Sequence, residues 1–539
     1  MEYPFEKTIE IQDGEYFRGG VVANGLKMPL GKESNYFFDI NATATDNQVN
    51  GLFVSTHGRF VYASGDYSVC VKDGVLRVLS SAPIYFGKSD GTLRGGYLAA
   101  MQYAKTETPH SFPRDLLLKP QFCTWVEMGI NVTQEKILDY ADKIVANGFP
   151  HHLLIIDDGW SVGYGDWRFD ERKIPDPKGM IQALHAKGFQ VSLWIVPFVD
   201  ETAKDYETLK ANGAFVCTPH GEVKKTEWWN GVSAVLDLTS PYAREYLEKT
   251  LDGLQRDYGV DGFKLDAGDA KYYACDDKTH LPTTPAQQCA LFSEVAKRYS
   301  VAEVRSGFLN GGSHLITRLG DKRRSWEDDN GIRALVPNMI QAGLSGYPFS
   351  CADMIGGGNI VDFDAEGLNE LSYDEQGNLM AKERATSDVD DETELAVRFC
   401  QCNALMPAMQ FSCAYWDKNA VLSRVYKDCI DLHGKVGEYM NDLITRAVDY
   451  GEPILRCVEY EFPHQGFEKE NDAFFLGDKY YVLPVIEKGV TEITARLPHG
   501  AAWKYAPTGE IFEGGQSVKV AADLYTLPYF ERTDERKEV

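Results

Sequence analysis

The sequence lacks the features that mark several large classes of protein. An excess of positive charge is absent, since the formal net charge is −25 at pH 7, which disfavours nucleic acids and anionic lipid surfaces as partners. No stretch approaches the ~20 apolar residues that a membrane helix needs. The first residues, MEYPFEKTIEIQDGEYF, lack the basic and apolar regions of a secretory signal. We therefore expect a cytoplasmic protein that binds neither nucleic acid nor membrane.

Cysteine is present but is not arranged for metal or disulfide chemistry. The 11 cysteines form no CxxC pair and no short Cys/His cluster, which favours reduced thiols over a disulfide framework or a zinc site. The first apolar strand of the central region is followed by TWVEMGIN, which is not a glycine-rich phosphate turn. We therefore predict no metal and no cofactor.

Three regions follow one another along the chain. Residues 1–115 contain short alternating runs such as FVYASGDYSVCVKDGVLRVL, which predict an N-terminal β-sandwich with no clear helix. Residues 116–447 alternate amphipathic helices with apolar strands, as in TQEKILDYADKIVANGF followed by HLLIID. Residues 448–539 return to short strands, which predicts a small C-terminal β domain. An acid-rich segment near 360–393 is expected to be a solvated insertion in the central region.

The central region predicts a (β/α)8 TIM barrel. Its expected strands are FCTW, LLIID, VSLWIV, GFKLD, VAEVRS, RSWED, GYPFS and AMQFS. Eight strands within one such region favour a closed barrel over a doubly wound open sheet. The predicted fold class is thus α/β, with the barrel flanked by the N-terminal β-sandwich and the C-terminal β domain.

Carboxylates and tryptophans are concentrated where the predicted barrel strands end, which is where the active sites of such barrels form. Metal enzymes with converging acids usually add histidine or close DxD spacing, and proton abstraction beside a carbonyl usually adds a lysine base or a metal. Glycoside hydrolysis needs two carboxyls, aromatic faces for the sugar ring and polar groups for its hydroxyls. This last requirement matches best the residues at the strand ends: Trp125, Asp157, Asp158, Trp194, Asp266, Arg305, Asp329 and Asp353.

Two segments supply carboxyls for such a reaction. In GVDGFKLDAGDA, Asp266 is expected at a strand tip where Gly268 leaves room for a substrate. Lys264 should point to the same side and favour the ionised carboxylate that a nucleophile requires. In RRSWEDDNGIRALVP, Asp328 and Asp329 are adjacent, so the charge of one can keep its neighbour protonated as a general acid. Spacing alone does not choose between Asp328 and Asp329.

These segments together resemble glycoside hydrolase family 31, in particular the branch that contains the myogenesis-regulating glycosidase and bacterial α-galactosidases. The similarity runs in order through the barrel, from TW at Trp125 to IIDDGW, YGDWRFDERKIPDP, LWIVPFV, GFKLDAGD, VRSG, SWEDDNG and CADMIGG. The resemblance implies that Asp266 is the nucleophile and that Asp329, with Asp328 as a neighbour, is the general acid/base. It implies that Arg305 binds sugar hydroxyls. The expected substrate-binding set is Asp157, Asp158, Trp125, Trp194, Lys264, Arg305, Trp326 and Asp353.

Two departures from the family pattern bear on the sugar. The segment MPAMQFSCAYW has Ser412 where many α-glucosidases of the family carry a histidine, and KLDAGD stands in place of a WxDMNE-like nucleophile segment. IIDDGW is similar to the acidic pair of other α-galactosidases, whose carboxylates bind an axial hydroxyl. The resemblance therefore favours a retaining, exo-acting α-galactosidase that takes a small oligosaccharide or α-glycoside.

Other interpretations of the sequence stay open. An α-glucosidase, or another family 31 enzyme such as an α-xylosidase, is the alternative on the same scaffold. Two rivals come from other classes: a carbohydrate-binding protein without catalysis, and a metal-dependent barrel hydrolase. The sequence is also compatible with a homo-oligomer.

Overall fold

The computed structural model of the chain describes residues 3–106, 108, 110–326, 329–359, 389–417 and 420–533. Its N-terminal region contains two antiparallel sheets of four strands, ordered β1-β7-β6-β3 and β2-β4-β5-β8. Buried aromatic side chains, among them Phe17, Phe38, Phe53 and Tyr67, form the core of this region. The strands are β1 Phe5–Glu10, β2 Phe17–Val21, β3 Tyr36–Asp39, β4 Val49–Ser55, β5 Arg59–Ala63, β6 Tyr67–Lys72, β7 Val75–Ser80 and β8 Ile84–Lys88. The predicted N-terminal β domain is confirmed.

One helix, α1 (Leu93–Ala104), follows these strands, so the expectation of no helix before residue 115 is wrong. The side chain of Thr92 caps its first turn by accepting a hydrogen bond from the backbone N–H of Gly95. Its buried face, which includes Tyr97 and Met101, packs on β4, β5 and β8. Two consecutive glycines in the first turn, unfavourable for helix formation, conceal this pattern in the sequence.

Eight parallel strands close into a barrel, in the order β9-β10-β13-β17-β18-β19-β20-β21, and the predicted fold class is confirmed. These strands are β9 Gln121–Cys123, β10 Leu153–Ile156, β13 Gln190–Ile195, β17 Gly262–Leu265, β18 Val301–Val304, β19 Ile316–Arg318, β20 Ser350–Met354 and β21 Ala408–Phe411. They are short and buried, and their carboxyl ends lie on one side of the barrel, because parallel strands share a direction.

The sixth barrel strand differs from the prediction. It is Ile316–Arg318, paired with β18 and β20, whereas residues 324–326, the described part of the predicted RSWED segment, lie outside any strand. The charged Arg318 conceals this strand, since an arginine is not expected in a buried run; here its guanidinium is paired with the carboxylates of Asp321 and Asp353. The seventh strand begins at Ser350, the last residue of the predicted GYPFS.

Helices cover the outside of the barrel, and additional strands form hairpins above its carboxyl end. The helices are α2 Asp115–Leu118, α3 Trp125–Met128, α4 Gln134–Ala146, α5 Pro177–Ala186, α6 Tyr206–Ala211, α7 Pro241–Tyr258, α8 Pro285–Ala296, α9 Leu335–Leu344, α10 Val389–Asn403, α11 Ala420–Lys435 and α12 Gly437–Tyr450. The additional strands are β11 Ser161–Gly163, β12 Asp166–Phe169, β14 Phe198–Val199, β15 Thr226–Trp228 and β16 Gly231–Val235. Most of the predicted insertion near 360–393 lies outside the described residues, and its last residues begin α10.

The C-terminal region is a β domain, as predicted. Its larger sheet has the order β22-β23-β24-β29-β26-β27, and β25 pairs with β28. The elements are β22 Leu455–Arg456, α13 Val458–Glu461, β23 Phe474–Leu476, β24 Tyr480–Val482, β25 Glu492–Arg496, β26 Ala502–Tyr505, β27 Ile511–Glu513, β28 Ser517–Ala521 and β29 Tyr529–Thr533. Across the described parts of the chain, no helix combines the length and the hydrophobicity that a membrane span requires.

Candidate active site

Asp266 lies directly after β17 and is held by two hydrogen bonds from neighbouring strand ends. Trp194 Nε1, on β13, donates to Oδ2 at 2.9 Å, and Arg305 Nε, after β18, donates to Oδ1 at 2.5 Å. The backbone N–H of Ala267 also donates to Oδ1. The carboxylate is only 7% exposed. It is thus fixed in one orientation.

Two arginines control the charge of Asp266. Burial alone would raise the pKa of this carboxyl, but the charges of Arg305, Arg318 and Lys264 lower it well below its ordinary value. Arg305 is nearest, and Arg318 Nη2 lies 3.9 Å from Oδ1. The two arginines therefore favour the ionised form of this carboxyl at neutral pH.

Gly268 does not make the room for a substrate that the sequence suggested. A Cβ atom at this position would lie 2.5 Å from Phe292 Cδ1 of α8, and the backbone φ of Gly268 is +72°. The glycine is needed because the chain turns there against α8. The close approach is to the hydrophobic core.

Lys264 bonds to a different carboxylate from the one that the sequence suggested. Its Nζ atom lies 2.6 Å from Asp157 Oδ2, and both side chains are almost completely buried. Cys123 Sγ donates to the same oxygen at 3.1 Å. Lys264 contributes to the low pKa of Asp266, but less than the two arginines do. Asp157 is therefore a charge partner within the barrel as well as a residue of the cleft.

Among the described residues, no cation donates a hydrogen bond to Asp158. Tyr164 Oη donates to Oδ2 at 3.0 Å, Asn230 Nδ2 donates to the same oxygen at 2.9 Å, and the Gly159 N–H donates to Oδ1. Burial and the adjacent charge of Asp157 nevertheless raise the pKa of Asp158 to about 7. The two neighbouring acids therefore differ in their partners: Asp157 is paired with Lys264, whereas Asp158 titrates near neutral pH.

A cleft of about 280 Å³, open to solvent, joins these groups at the carboxyl end of the barrel. Acids, bases and indoles line it together: Trp125, Asp157, Asp158, Trp194, Trp229, Lys264, Asp266, Arg318, Asp321 and Met354. The lining is thus polar, with aromatic faces on which a ring could stack.

Four of the predicted site residues are not among those that line the cleft, and one of them is Arg305, which donates a hydrogen bond to Asp266. Asp353 is fully buried behind it, where its carboxylate accepts hydrogen bonds from Arg318 Nη1 and from the backbone of Lys322. Trp326 is half-buried and packs against the main hydrophobic core. Asp329 lies in the loop between β19 and α9, with a side chain that is 66% exposed and 3.3 Å from Arg323. Asp328 lies outside the described residues.

Several residues of the cleft were not found from the sequence. Trp229 and Asn230 form the turn between β15 and β16, and Tyr164 lies in the hairpin of β11 and β12. Hairpins inserted between a barrel strand and its helix break the strand–helix alternation, so the pattern did not indicate that they approach the site. Arg318 and Asp321 were missed because the sixth strand was placed too late. Within the described ranges, no group of three or more His, Cys, Asp or Glu side chains is arranged to hold a metal ion.

The fold and the cleft define an eight-stranded α/β barrel protein whose carboxylate-rich site suits a small polar ligand. The sequence matches the description "Glycosyl hydrolases family 31 TIM-barrel domain" over residues 119–424 and "Glycosyl hydrolase family 31 C-terminal domain" over residues 451–535. The chain belongs to glycosyl hydrolase family 31.

Curated relatives carry several activities in their names. The myogenesis-regulating glycosidase of Mus musculus is 34% identical over 399 residues, which cover 73% of this chain and 53% of the relative. Alpha-glucosidase 2 of Bacillus thermoamyloliquefaciens is 24% identical, with coverage of 74% and 50%. Alpha-xylosidase XylQ of Lactiplantibacillus pentosus is 26% identical, with coverage of 74% and 51%. The chain therefore spans about half the length of these relatives.

Solved structures share the whole fold. An α-xylosidase from a soil metagenome, complexed with xylose, has a TM-score of 0.80 at 21% identity and covers 98% of this chain and 79% of its own. A dextranase from Flavobacterium johnsoniae, complexed with glucose, has a TM-score of 0.80 at 18% identity, with coverage of 98% and 66%. At these identities the likeness establishes the fold alone.

Proposed function

We propose that the protein is a retaining α-glycoside hydrolase and that Asp266 is its nucleophile. The observation that carries this proposal is the state of Asp266: a buried carboxylate, kept ionised by two arginines and oriented by Trp194 Nε1 at the edge of an open cleft. A nucleophile must be unprotonated and must be oriented toward the atom that it attacks. Membership of the family supports the same role.

The reaction follows from two carboxyl groups acting in turn. An oxygen of Asp266 attacks the anomeric carbon while the bond from that carbon to the leaving oxygen breaks, and Asp329 gives its proton to that oxygen. Water then attacks the glycosyl–Asp266 ester, and Asp329 takes the proton from the water. Two inversions retain the α configuration, which requires carboxyls about 5–5.5 Å apart. Because the Asp329 side chain is exposed, we propose that it approaches the leaving oxygen when a substrate is bound.

The sugar that we propose is α-galactose, with α-glucose or α-xylose as the alternative. Asp158 supports this choice, because it lies in the cleft with hydrogen bonds from Tyr164 and Asn230 but without a cationic partner. Such a carboxylate can accept a hydrogen bond from an axial hydroxyl. Asp157 already accepts from Lys264, so we assign the contact with the sugar to Asp158. The relatives named for glucose and xylose support the alternative. The cytoplasmic location and the oligomeric state stay predictions.

A substrate panel tests the proposal. We expect hydrolysis of nitrophenyl α-galactoside, with lower kcat/KM on the α-glucoside, α-xyloside and α-sulfoquinovoside. The change Asp266→Ala should reduce turnover on the order of 10⁴-fold or more, with an unchanged circular dichroism spectrum. Asp170→Ala, at a carboxylate whose hydrogen bonds go to Arg172, is the matched control and should keep full activity. Hydrolysis of none of the four by the wild type would contradict the glycosidase assignment, and preference for the glucoside or xyloside would contradict galactose.

A further inference from the structure

The N-terminal β domain places a short segment, residues 46–50, against the connection between two adjacent strands of the barrel. Residues 305–315, all of them described, connect β18 to β19 without a helix. In that place the backbone N–H of Val49 donates to Gly307 O, and the N–H of Leu309 donates to Val49 O. The N-terminal domain is thus bonded directly to the connection between these two strands.

Gln48 of this segment contacts the ends of both strands. It is fully buried, and its Nε2 atom donates to the backbone carbonyls of both Arg305, at 2.6 Å, and Arg318, at 2.9 Å. The orientation of the amide is fixed by its partners, because two carbonyl oxygens can only be met by the NH₂ end. The amide oxygen accepts no hydrogen bond from the described residues. Among the described residues, the Gln48 side chain therefore makes hydrogen bonds with these two carbonyls alone.

The two carbonyls belong to the arginines that control Asp266. The ladder between β18 and β19 ends at the pair Val304 and Thr317, so the next residue of each strand is one of the arginines. Their carbonyl oxygens lie beyond the last pair of this ladder. The NH₂ group of Gln48 donates a hydrogen bond to each of them. The spacing of the two strand ends then depends on a side chain from another domain.

We propose that Gln48 is a positioning residue for the glycosidase reaction, setting the separation of Arg305 and Arg318 around Asp266. This inference rests on the proposed function for its kinetic consequences. Through Gln48 the N-terminal domain becomes a part of the catalytic machinery. The Gln48 side chain itself contacts neither the Asp266 carboxylate nor the cleft. Residues one step away from a reacting group commonly contribute about 10–100-fold when they orient it.

Gln48→Met tests this role, because methionine keeps the length of the side chain and removes both donors. The matched control is Asn50→Leu: Asn50 is another buried amide of the same segment, and its Nδ2 atom donates to the Ser345 carbonyl, away from the arginines. Both variants should lose thermal stability by a similar amount. Only Gln48→Met should lose kcat, by about 10–100-fold, and equally on substrates with good and poor leaving groups, because the nucleophile is displaced and the acid is not.

The pH profile supplies a readout that a loss of stability would not move. With the arginines displaced, the pKa of Asp266 should rise, so the acidic limb of kcat/KM should move to higher pH in Gln48→Met alone. The charged groups that face Asp266 are Arg305, Arg318, Lys264, Asp269 and Asp46, and both variants leave all of them in place. Equal kinetic losses in the two variants, or an unchanged acidic limb in Gln48→Met, would overturn the inference.

A failure of the proposed function is distinguishable from a failure of this inference. If the wild type cleaves nothing in the panel, the glycosidase proposal fails, and crystal structures then decide the role of Gln48. We expect the distance of 2.5 Å between Arg305 Nε and Asp266 Oδ1 to lengthen in Gln48→Met and to stay the same in Asn50→Leu. An unchanged distance in Gln48→Met would overturn the inference.

Discussion

The two carboxylates of the proposed reaction are held in different ways. Asp266 is 7% exposed, follows a barrel strand, and is bound by Trp194 and Arg305 from two other strands. Asp329 has a side chain that is 66% exposed, lies in a loop, and has Arg323 as an ion-pair partner at 3.3 Å. Asp266, the proposed nucleophile, is therefore preorganised by the barrel, whereas the position of Asp329, the proposed acid, depends on its loop. Preorganised charge is the larger contribution to most enzymatic rates.

Asp329→Ala tests this comparison most directly. If Asp329 protonates the leaving oxygen, kcat/KM on an α-glycoside with a sugar or alkyl aglycone should fall by about 10²–10⁴-fold. The loss on a dinitrophenyl glycoside should be much smaller, because that leaving group needs no proton. Azide should restore part of the activity by attacking the glycosyl-enzyme.

Asp321→Ala is the matched control for this measurement. Asp321 lies on the same loop and lines the cleft, but its carboxylate is 2.7 Å from Arg318 Nη1. The loss of kcat/KM in Asp321→Ala should be the same on substrates with good and poor leaving groups. If Asp321→Ala gives the leaving-group pattern and Asp329→Ala does not, the acid has been assigned to the wrong residue of the loop.

The same difference explains what the sequence could and could not predict. Asp266 was placed at a strand tip because the apolar run before it has the length of a buried strand, and the structure agrees. The sixth strand was missed because Arg318 looks like a surface residue until its buried partners are known. Partners such as Asp353 come from other strands, and local periodicity carries no information about them.

Contacts between residues far apart in the chain could not be predicted from the sequence for a related reason. Gln48 lies 257 residues before Arg305, and Asn230 lies 72 residues after Asp158. Each of these contacts needs the closed barrel before its two residues meet. The residue types gave no signal either, because buried amides and surface amides look alike in a sequence.

A second prediction concerns the adjacent acids Asp157 and Asp158. Asp157→Asn should destabilise the fold by about 3–5 kcal/mol, because it leaves the buried Lys264 without its charge partner. Asp158→Asn should instead increase stability at alkaline pH. The pKa of Asp158 is raised in the folded protein, to about 7, so its contribution to stability is full below the unfolded pKa of about 4 and is lost as the pH rises through about 7.

Thermal melting of the wild type and both variants at pH 5 and pH 8 measures this difference. The wild type should lose more stability than Asp158→Asn does between the two pH values, and Asp157→Asn should melt lowest at both. An Asp158→Asn variant with the same pH dependence as the wild type would show that Asp158 is already ionised at pH 5. The adjacent acids would then be equivalent in charge.

The smallest expected effect is that of Trp229→Ala. Trp229 is 48% exposed at the wall of the cleft, and the guanidinium carbon of Arg305 lies 5.4 Å from its ring centre. If the indole is a face on which the sugar packs, its removal should raise KM about 10-fold and change kcat by less than about 3-fold, since stacking acts alike on the bound substrate and on the transition state. Val232→Ala, at an exposed residue of the same hairpin, is the control and should leave both constants unchanged. A fall in kcat without a rise in KM would instead mean that Trp229 orients Arg305, and through it Asp266, which would extend the preorganised side of the cleft to a hairpin outside the barrel.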